Sequence, residues 1–368
     1  MRIEHRGFSA FRNGNFCNAG ANLFVDATGA VRRIIENDVN NDGYFDIVFP
    51  NTHGYVERGP TTIYSQDTSG KWLGRDLPHD ACWKTKIADV DGDGYDDLIV
   101  VNAENGVSSV LTSYVYYGGP NGLTGERSEF ATEGAYDVVC ADLTGNGFYD
   151  LIFTSAWADH HMYDYSFKQK VYLQESPRVF KDATDEFNFL GQSVVALLYE
   201  DLNNDGYPEF VMAGYKGQFT EAGIGYIYSG GPMGLAKEPI TLPTYLAMGV
   251  HAVDLNHDGF KELIFFGGNQ LMIYWNNDGV FSENNVEFID LEGYRTQFFG
   301  GRIAIDSADV DGDGLIELII GYGNGFEIRR ENNLHTIWQK VEGFHCFCVK
   351  AVDFNGSNRM TEPVRYFV

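Results

Sequence analysis

Six nine-residue segments of this 368-residue chain carry side-chain oxygens at positions one, three, five and nine and a glycine at position six. They read DVNNDGYFD from Asp38, DVDGDGYDD from Asp89, DLTGNGFYD from Asp142, DLNNDGYPE from Asp201, DLNHDGFKE from Asp254 and DVDGDGLIE from Asp309. Oxygens so spaced, completed by the backbone carbonyl of position seven, suit a hard cation such as calcium, which takes roughly six to eight oxygen ligands. The donor sets are Asp38, Asn40, Asp42 and Asp46 with the Tyr44 carbonyl; Asp89, Asp91, Asp93 and Asp97 with Tyr95; and Asp142, Thr144, Asn146 and Asp150 with Phe148. They continue with Asp201, Asn203, Asp205 and Glu209 with Tyr207; Asp254, Asn256, Asp258 and Glu262 with Phe260; and Asp309, Asp311, Asp313 and Glu317 with Leu315.

Ligand charge ranks these loops. The second and sixth offer four carboxylates each and should bind tightest; the first, fourth and fifth offer three plus an asparagine and should also bind calcium. The third has only two and stands outside these five strong sites. An EF-hand starts with the same spacing but needs a glutamate at position twelve and flanking helices. Position twelve is Phe49, Val100, Phe153, Met212, Phe265 and Ile320, so that reading fails at every copy.

The loops begin 51, 53, 59, 53 and 55 residues apart, and a degenerate seventh copy, DFNGSNRMTE, follows 44 residues later at Asp353. A fixed period of this length marks a repeat architecture with one small sheet per copy. Position two is always Val or Leu, and positions ten and eleven are apolar, from Ile47-Val48 to Leu318-Ile319, so each loop joins two buried strands. The chain holds 43 glycines and short apolar runs bounded by turn residues, which favours an all-β fold.

Supporting runs are YVYYGGPNGLT from Tyr114 and YIYSGGPMGLA from Tyr226. With the acidic loops, they make the chain resemble the FG-GAP and VCBS repeat family along essentially its whole length. The resemblance implies a seven-bladed β-propeller of four-stranded antiparallel blades, like that of integrin α-subunits, with the calcium loop joining the first and second strands of each blade. One domain would span residues 1–368. PVRYFV at the C-terminus leaves the seventh blade short of strands, so about residues 1–30 are expected to complete it with 345–368. In that scheme ANLFVDA supplies an outer strand there, and Val31 to Glu36 forms the inner strand of blade one. Closure removes exposed sheet edges.

Net charge is −26, which excludes a phosphate-binding surface and hence nucleic acid as partner. No apolar stretch is long enough to span a bilayer, so no membrane insertion is expected. Calcium loops favour a secreted, surface or periplasmic setting, and if the chain is secreted its signal is expected to have been removed. The five cysteines, Cys17, Cys82, Cys140, Cys346 and Cys348, lack metal spacing and read as small buried hydrophobes.

Strand direction puts the second-to-third loops on the face away from calcium. These are long in the first four blades (NTHGYVERGPTT, NAENGVSSVLTS, TSAWADHHMYDYSFK and AGYKGQFTEAGI) and shrink to GGNQ and GYGNG in blades five and six. The long loops carry His53, Tyr55, Arg58, Trp157, His160, His161, Tyr163, Lys216 and Phe219, while Trp83, Tyr245, His251 and Arg302 lie at blade junctions. Aromatic faces mixed with cationic donors suit carbohydrate. A polysaccharide lyase would draw its base from His53, His160, His161 or Tyr163, with Arg58 or Lys216 neutralising a uronate carboxylate. A glycosidase would choose among Glu57, Asp159, Asp164 and Glu221. The unequal loops tilt the reading toward one unique pocket and an enzyme; a non-catalytic lectin or an integrin-like protein-binding domain is the alternative. At Trp83, Trp157 and Tyr245 packing between blades competes with ligand stacking.

Overall fold

The computed structural model describes residues 23–25, 31–33, 39–40, 46–49, 61–66, 71–77, 82–105, 108–156, 166–215, 222–291, 304–322, 325–342, 349 and 351. Five four-stranded antiparallel sheets and one three-stranded sheet succeed one another along these residues. The first sheet contains Ile47–Phe49, Thr61–Gln66 and Trp72–Leu77; the second Cys82–Ala88, Asp97–Asn102, Val110–Tyr116 and Arg127–Glu133. Val138–Ala141, Asp150–Phe153, Lys170–Ser176 and Val179–Asp182 make the third, and Val194–Glu200, Glu209–Gly214, Ala222–Tyr228 and Ile240–Tyr245 the fourth. The fifth holds Ala247–Val253, Glu262–Gly267, Gln270–Tyr274 and Val286–Asp290, and the sixth Ala304–Ala308, Glu317–Tyr322, Gly325–Arg330 and Ile337–Glu342.

Strand order in each full sheet is sequential, so every connection is local. The continuous apolar runs of the second strands explain how the sheets stack. DLIVVN, EFVMAG and ELIFFG are buried at every residue, which requires cover on both faces. Because side chains alternate, Leu98 and Val100 join a core with Ile63 and Leu77 of the first sheet, while Ile99 and Val101 join one with Val138 and Leu151 of the third. The same division recurs around Ile152 and Phe210, Val211 and Leu263, and Ile264 and Leu318. Each such side chain contributes about 1.5–3 kcal/mol when fully buried. Outer strands alternate instead: in RSEFATE, Phe130 and Thr132 are buried between exposed Glu129 and Ala131.

First strands of the third to sixth sheets lie beside one another. Beyond the sixth sheet, buried Val349 packs on Ile319, Phe326 and Ile328, and the Ala351 amide donates to Asp306 at 2.7 Å. The 59-residue interval between loops three and four is also explained. Its extra residues form an antiparallel pairing of Ser166–Lys168 with Leu190–Gln192 and the short helix α1, Thr184–Phe187, none of which the repeat pattern announces.

One expectation at the N-terminus is corrected. Leu23–Val25 pairs antiparallel with Val31–Arg33, with Val25 opposite Val31, in a two-stranded sheet of their own. The two runs were expected in different sheets. The five-residue DATGA connection is short and rich in turn formers, which favours a hairpin over separation. The remainder of the expected closure segments, 1–22 and most of 345–368, lies outside the described residues. Buried Cys82 donates its thiol to the Lys84 carbonyl at 3.3 Å, and burial pushes its pKa up to about 12. Among the described residues no helix is long and apolar enough to cross a membrane.

Candidate metal centres

The acidic loops share a hydrogen-bonded frame that the sequence dictates position by position. The amide of position two donates to the carboxylate of position nine in all six: Val39 to Asp46, Val90 to Asp97, Leu143 to Asp150, Leu202 to Glu209, Leu255 to Glu262 and Val310 to Glu317, at 2.7 to 2.9 Å. In loops two to six the position-six glycine amide donates to the first aspartate at 2.9 to 3.0 Å. These glycines have φ between 88° and 94°, a left-handed turn that only glycine enters without cost. Position seven donates to the side-chain oxygen of position five at 2.8 to 2.9 Å. In loop one, Asn40 and Asp46 are described, whereas Asp38, Asp42 and Tyr44 lie outside the described residues.

This frame gathers negative charge. Carboxylate oxygens of Asp89, Asp91 and Asp97 lie within 4.8 Å of one another, as do those of Asp309, Asp311 and Glu317. In loops four and five, Asp201 Oδ1 and Asp254 Oδ1 are buried without a hydrogen-bond partner among the described residues. An orphaned carboxylate oxygen facing other acids suits a cation and is costly without one. Burial pushes the ninth carboxylates up: Asp97, Glu262 and Glu317 to about 7, and Asp150 and Glu209 in the same direction. Amide hydrogen bonds oppose this effect, while neighbouring aspartates add to it, Asp91 and Asp89 in the case of Asp97.

Position nine does more than sequence spacing implied. Besides the amide from position two, Asp97 Oδ1 accepts the Gly118 amide at 2.7 Å, Asp150 Oδ1 the Gln174 amide at 2.7 Å, and Glu209 Oε1 the Gly230 amide at 3.2 Å. The acid therefore ties the loop to the third strand of its own sheet, at Gln174, or to the turn that follows that strand, at Gly118 and Gly230. Gly118 and Gly230 open the two Gly-Gly-Pro turns. A Cβ there would come within 2.2 Å of the Asp96 carbonyl and 2.4 Å of the Pro208 carbonyl, which explains the glycine. Those Gly-Gly-Pro turns were the available signal for this link.

The loops also lie at sheet boundaries. The third-to-fourth turn of each following sheet touches the preceding loop: Gly122 packs on Asn40, and Gly279 on Asn203. Gln174 donates to the Val90 carbonyl and Asn276 to the Leu202 carbonyl, both at 2.7 Å. In loop five His257 Nε2 pairs with Glu331 of the sixth sheet at 2.5 Å.

At the opposite ends of the strands is a cavity of about 350 Å³, lined by Glu133, Ser155, Phe167, Lys168, Lys170 and residues 182–186. Lys168 pairs with Asp185 at 2.6 Å, and the buried Ser155 Oγ has no hydrogen-bond partner among the described residues. Register fixes the face: Lys170 lies opposite Phe153 at the far end of the strand that begins at loop three. Of the residues expected to bind substrate, Trp83 packs edge-on against Tyr136 with ring centres 4.6 Å apart. Tyr245 packs against the core between sheets four and five, and His251 Nε2 meets Ser307 Oγ of the sixth sheet at 2.8 Å. These three engage neighbouring sheets. His53, Tyr55, Arg58, Trp157, His160, His161, Tyr163, Lys216, Phe219 and Arg302, with the acids Glu57, Asp159, Asp164 and Glu221, lie outside the described residues. None of the cavity residues was singled out from the sequence: Glu133, Lys170 and Asp182 lie on ordinary strands of the second and third sheets, and the ribbon and helix that complete the lining with Phe167, Lys168 and residues 184–186 fall outside the repeat pattern.

Residues 201–265 and 254–320 match the FG-GAP-like repeat. Among solved structures, the chain is similar to an Agrocybe aegerita lectin that recognises non-reducing terminal N-acetylglucosamine, at 13% identity and TM-score 0.47, covering 91% of this chain and 89% of that one. A Lactobacillus plantarum protein matches at 12% identity and TM-score 0.48, covering 81% and 82%. The Vibrio cholerae biofilm matrix protein Bap1 matches at 17% identity and TM-score 0.42, over 72% of this chain and 40% of Bap1.

Proposed function

The chain carries FG-GAP-like repeats, and from that premise we propose that it is a calcium-held, seven-bladed propeller that recognises carbohydrate on the face away from its acidic loops. The observation that carries the reading is the recurrence of one hydrogen-bonded loop frame that crowds carboxylates at successive sheet boundaries. The ligands would be the oxygens at positions one, three, five and nine, in loops one, two, four, five and six. Bound calcium supplies positive charge that offsets the repulsion and desolvation of those acids. The seventh blade is supported by the degenerate copy at Asp353 and by Val349 and Ala351 packing on the sixth sheet. Such a protein fits a calcium-rich, extracellular or surface setting.

Carbohydrate recognition is supported by the cavity at the far ends of the strands. Its volume is at the lower end of the roughly 300–1,000 Å³ usual for small-molecule sites. Donors from Lys168 and Lys170, acceptors from Glu133 and Asp182, and the apolar face of Phe167 are what sugar hydroxyls and ring carbons require. The test is a panel of neutral and acidic glycans with the intact protein in millimolar calcium, alongside Lys170→Ala and Asp182→Asn. Saturable binding lost in both variants supports this pocket; binding to no glycan removes the reading. A catalytic version is favoured by the unequal second-to-third loops, and new reducing ends or absorbance from an unsaturated uronate would establish it.

A further inference from the structure

The two loops with a fourth carboxylate each hold an arginine. Arg178, in the third-to-fourth turn of the third sheet, places Nε 2.6 Å from Asp91 Oδ2 and Nη2 3.4 Å from Asp93 in loop two. It also pairs with Glu126 at 2.7 Å and stacks 4.3 Å over Tyr117, which fixes its plane. Arg330, on the third strand of the sixth sheet, pairs with Asp311 of loop six, lies 3.5 Å from Glu317 and stacks 4.1 Å over Trp338. The two arginines approach from different sheets, so one repeat position does not explain both.

Loops four and five show the alternative. There position three is Asn203 or Asn256, whose amide donates to Asp205 at 3.1 Å or Asp258 at 3.0 Å, and among the described residues no arginine ion pair reaches either loop. A neutral asparagine and an aspartate paired with arginine leave the same net charge of three negative units on the four side-chain ligand positions.

Resting on the calcium reading above, we propose that Arg178 and Arg330 are affinity-setting residues that level the metal sites, cancelling the extra carboxylates of Asp91 and Asp311. The four side-chain ligand positions of each of the five complete loops then present one charge to the ion, and the sites fill over one concentration range. This replaces the ranking drawn from ligand count, in which loops two and six bind tightest. Arginine keeps its charge at every accessible pH, so the offset does not titrate.

Calcium titration of the chelated full chain by calorimetry at low salt tests this. The wild type is expected to bind five ions in one affinity class. In Arg178→Gln one ion moves to a class about tenfold tighter, the order expected for removing a unit charge a few ångströms from a divalent ion when water screens the pair almost fully, and the gain shrinks as salt is added. Arg178→Lys, which keeps the charge, is expected to stay close to wild type, and Arg178→Gln with Asp91→Asn to return to it. Arg330→Gln provides the same test at loop six should Arg178→Gln fail to fold. Two tight and three weaker ions in the wild type, or no tightening in either glutamine variant, would overturn the proposal while leaving calcium binding intact. No calcium bound to the wild type would overturn the calcium reading itself.

Discussion

Loops two and three fold alike and are charged differently. In each, the position-six glycine amide meets the first aspartate, the position-seven amide meets position five, and the ninth aspartate accepts amides from position two and from its sheet's third strand or the turn just after it. Loop two nevertheless has four carboxylates, whereas loop three has Thr144 and Asn146 where loop two has Asp91 and Asp93. Asn146 directs its amide to the Gln174 carbonyl at 2.8 Å. Folding the turn and holding an ion are therefore separable: glycine and the outer acids fold it, while positions three and five set the charge.

The largest expected effect is calcium removal. A site loaded at a hundred times its Kd adds about 2.7 kcal/mol, so chelation should lower the Tm of the whole protein strongly, with loop three contributing nothing. A Tm indifferent to chelator would erase the distinction between the loops. The comparison is sharpened next by charge transplantation: Thr144→Asp with Asn146→Asp is expected to add one bound calcium per chain, read by equilibrium dialysis.

Removing a ninth acid attacks what the loops share. Asp97→Ala strips partners from the Val90 and Gly118 amides, at about 1–3 kcal/mol for each buried group left unpaired, and Asp150→Ala should cost a similar amount without calcium. Urea unfolding of both variants in chelator checks this. In calcium only Asp97→Ala should lose more, because only loop two then loses an ion.

The pH response follows from burial. The Asp97 carboxyl is raised from 3.8 to about 7 and Glu262 and Glu317 from 4.5 to about 7, so the metal-free native state holds protons that the unfolded chain has released. That stabilisation is complete at low pH and is lost as pH rises through about 4 to 7. Chelated protein should therefore melt lower at pH 8 than at pH 6 in calorimetric scans, and saturating calcium should remove or reverse the difference. The smallest effect contrasts two glycines of the second sheet. Gly118→Ala, facing a carbonyl at 2.2 Å, should cost more than Gly94→Ala, whose Cβ would meet nothing within 4 Å and bears only the left-handed penalty of about 1–2 kcal/mol.

Much of this was legible in the sequence because the repeat encodes it twice. Gly94 and its counterparts announce the turn, and the runs at Leu98 or Leu263 announce strands buried on both faces. The contact of Asp97 with the Gly-Gly-Pro turn was less visible, since spacing within nine residues says nothing of Gly118, twenty-one residues on. Arg178 was invisible for the same reason: it reaches loop two from the next sheet, and ligand counting ranks a loop only by its own residues. The cavity beside Ser155 is completed by an insertion that breaks the period, through Phe167, Lys168 and residues 184–186, where a repeat offers no guidance. The N-terminal pairing of Val25 with Val31 misled because both runs have strand composition, and only the short link between them decides their partner.

Calcium content after dialysis against millimolar calcium, measured by elemental analysis on the intact chain, tests the central claim most directly. The account requires five ions per chain, falling to four when Asp93 and Asp97 are both replaced by Asn. A protein that emerges with no calcium, or whose calcium is unchanged by that double replacement, would contradict it.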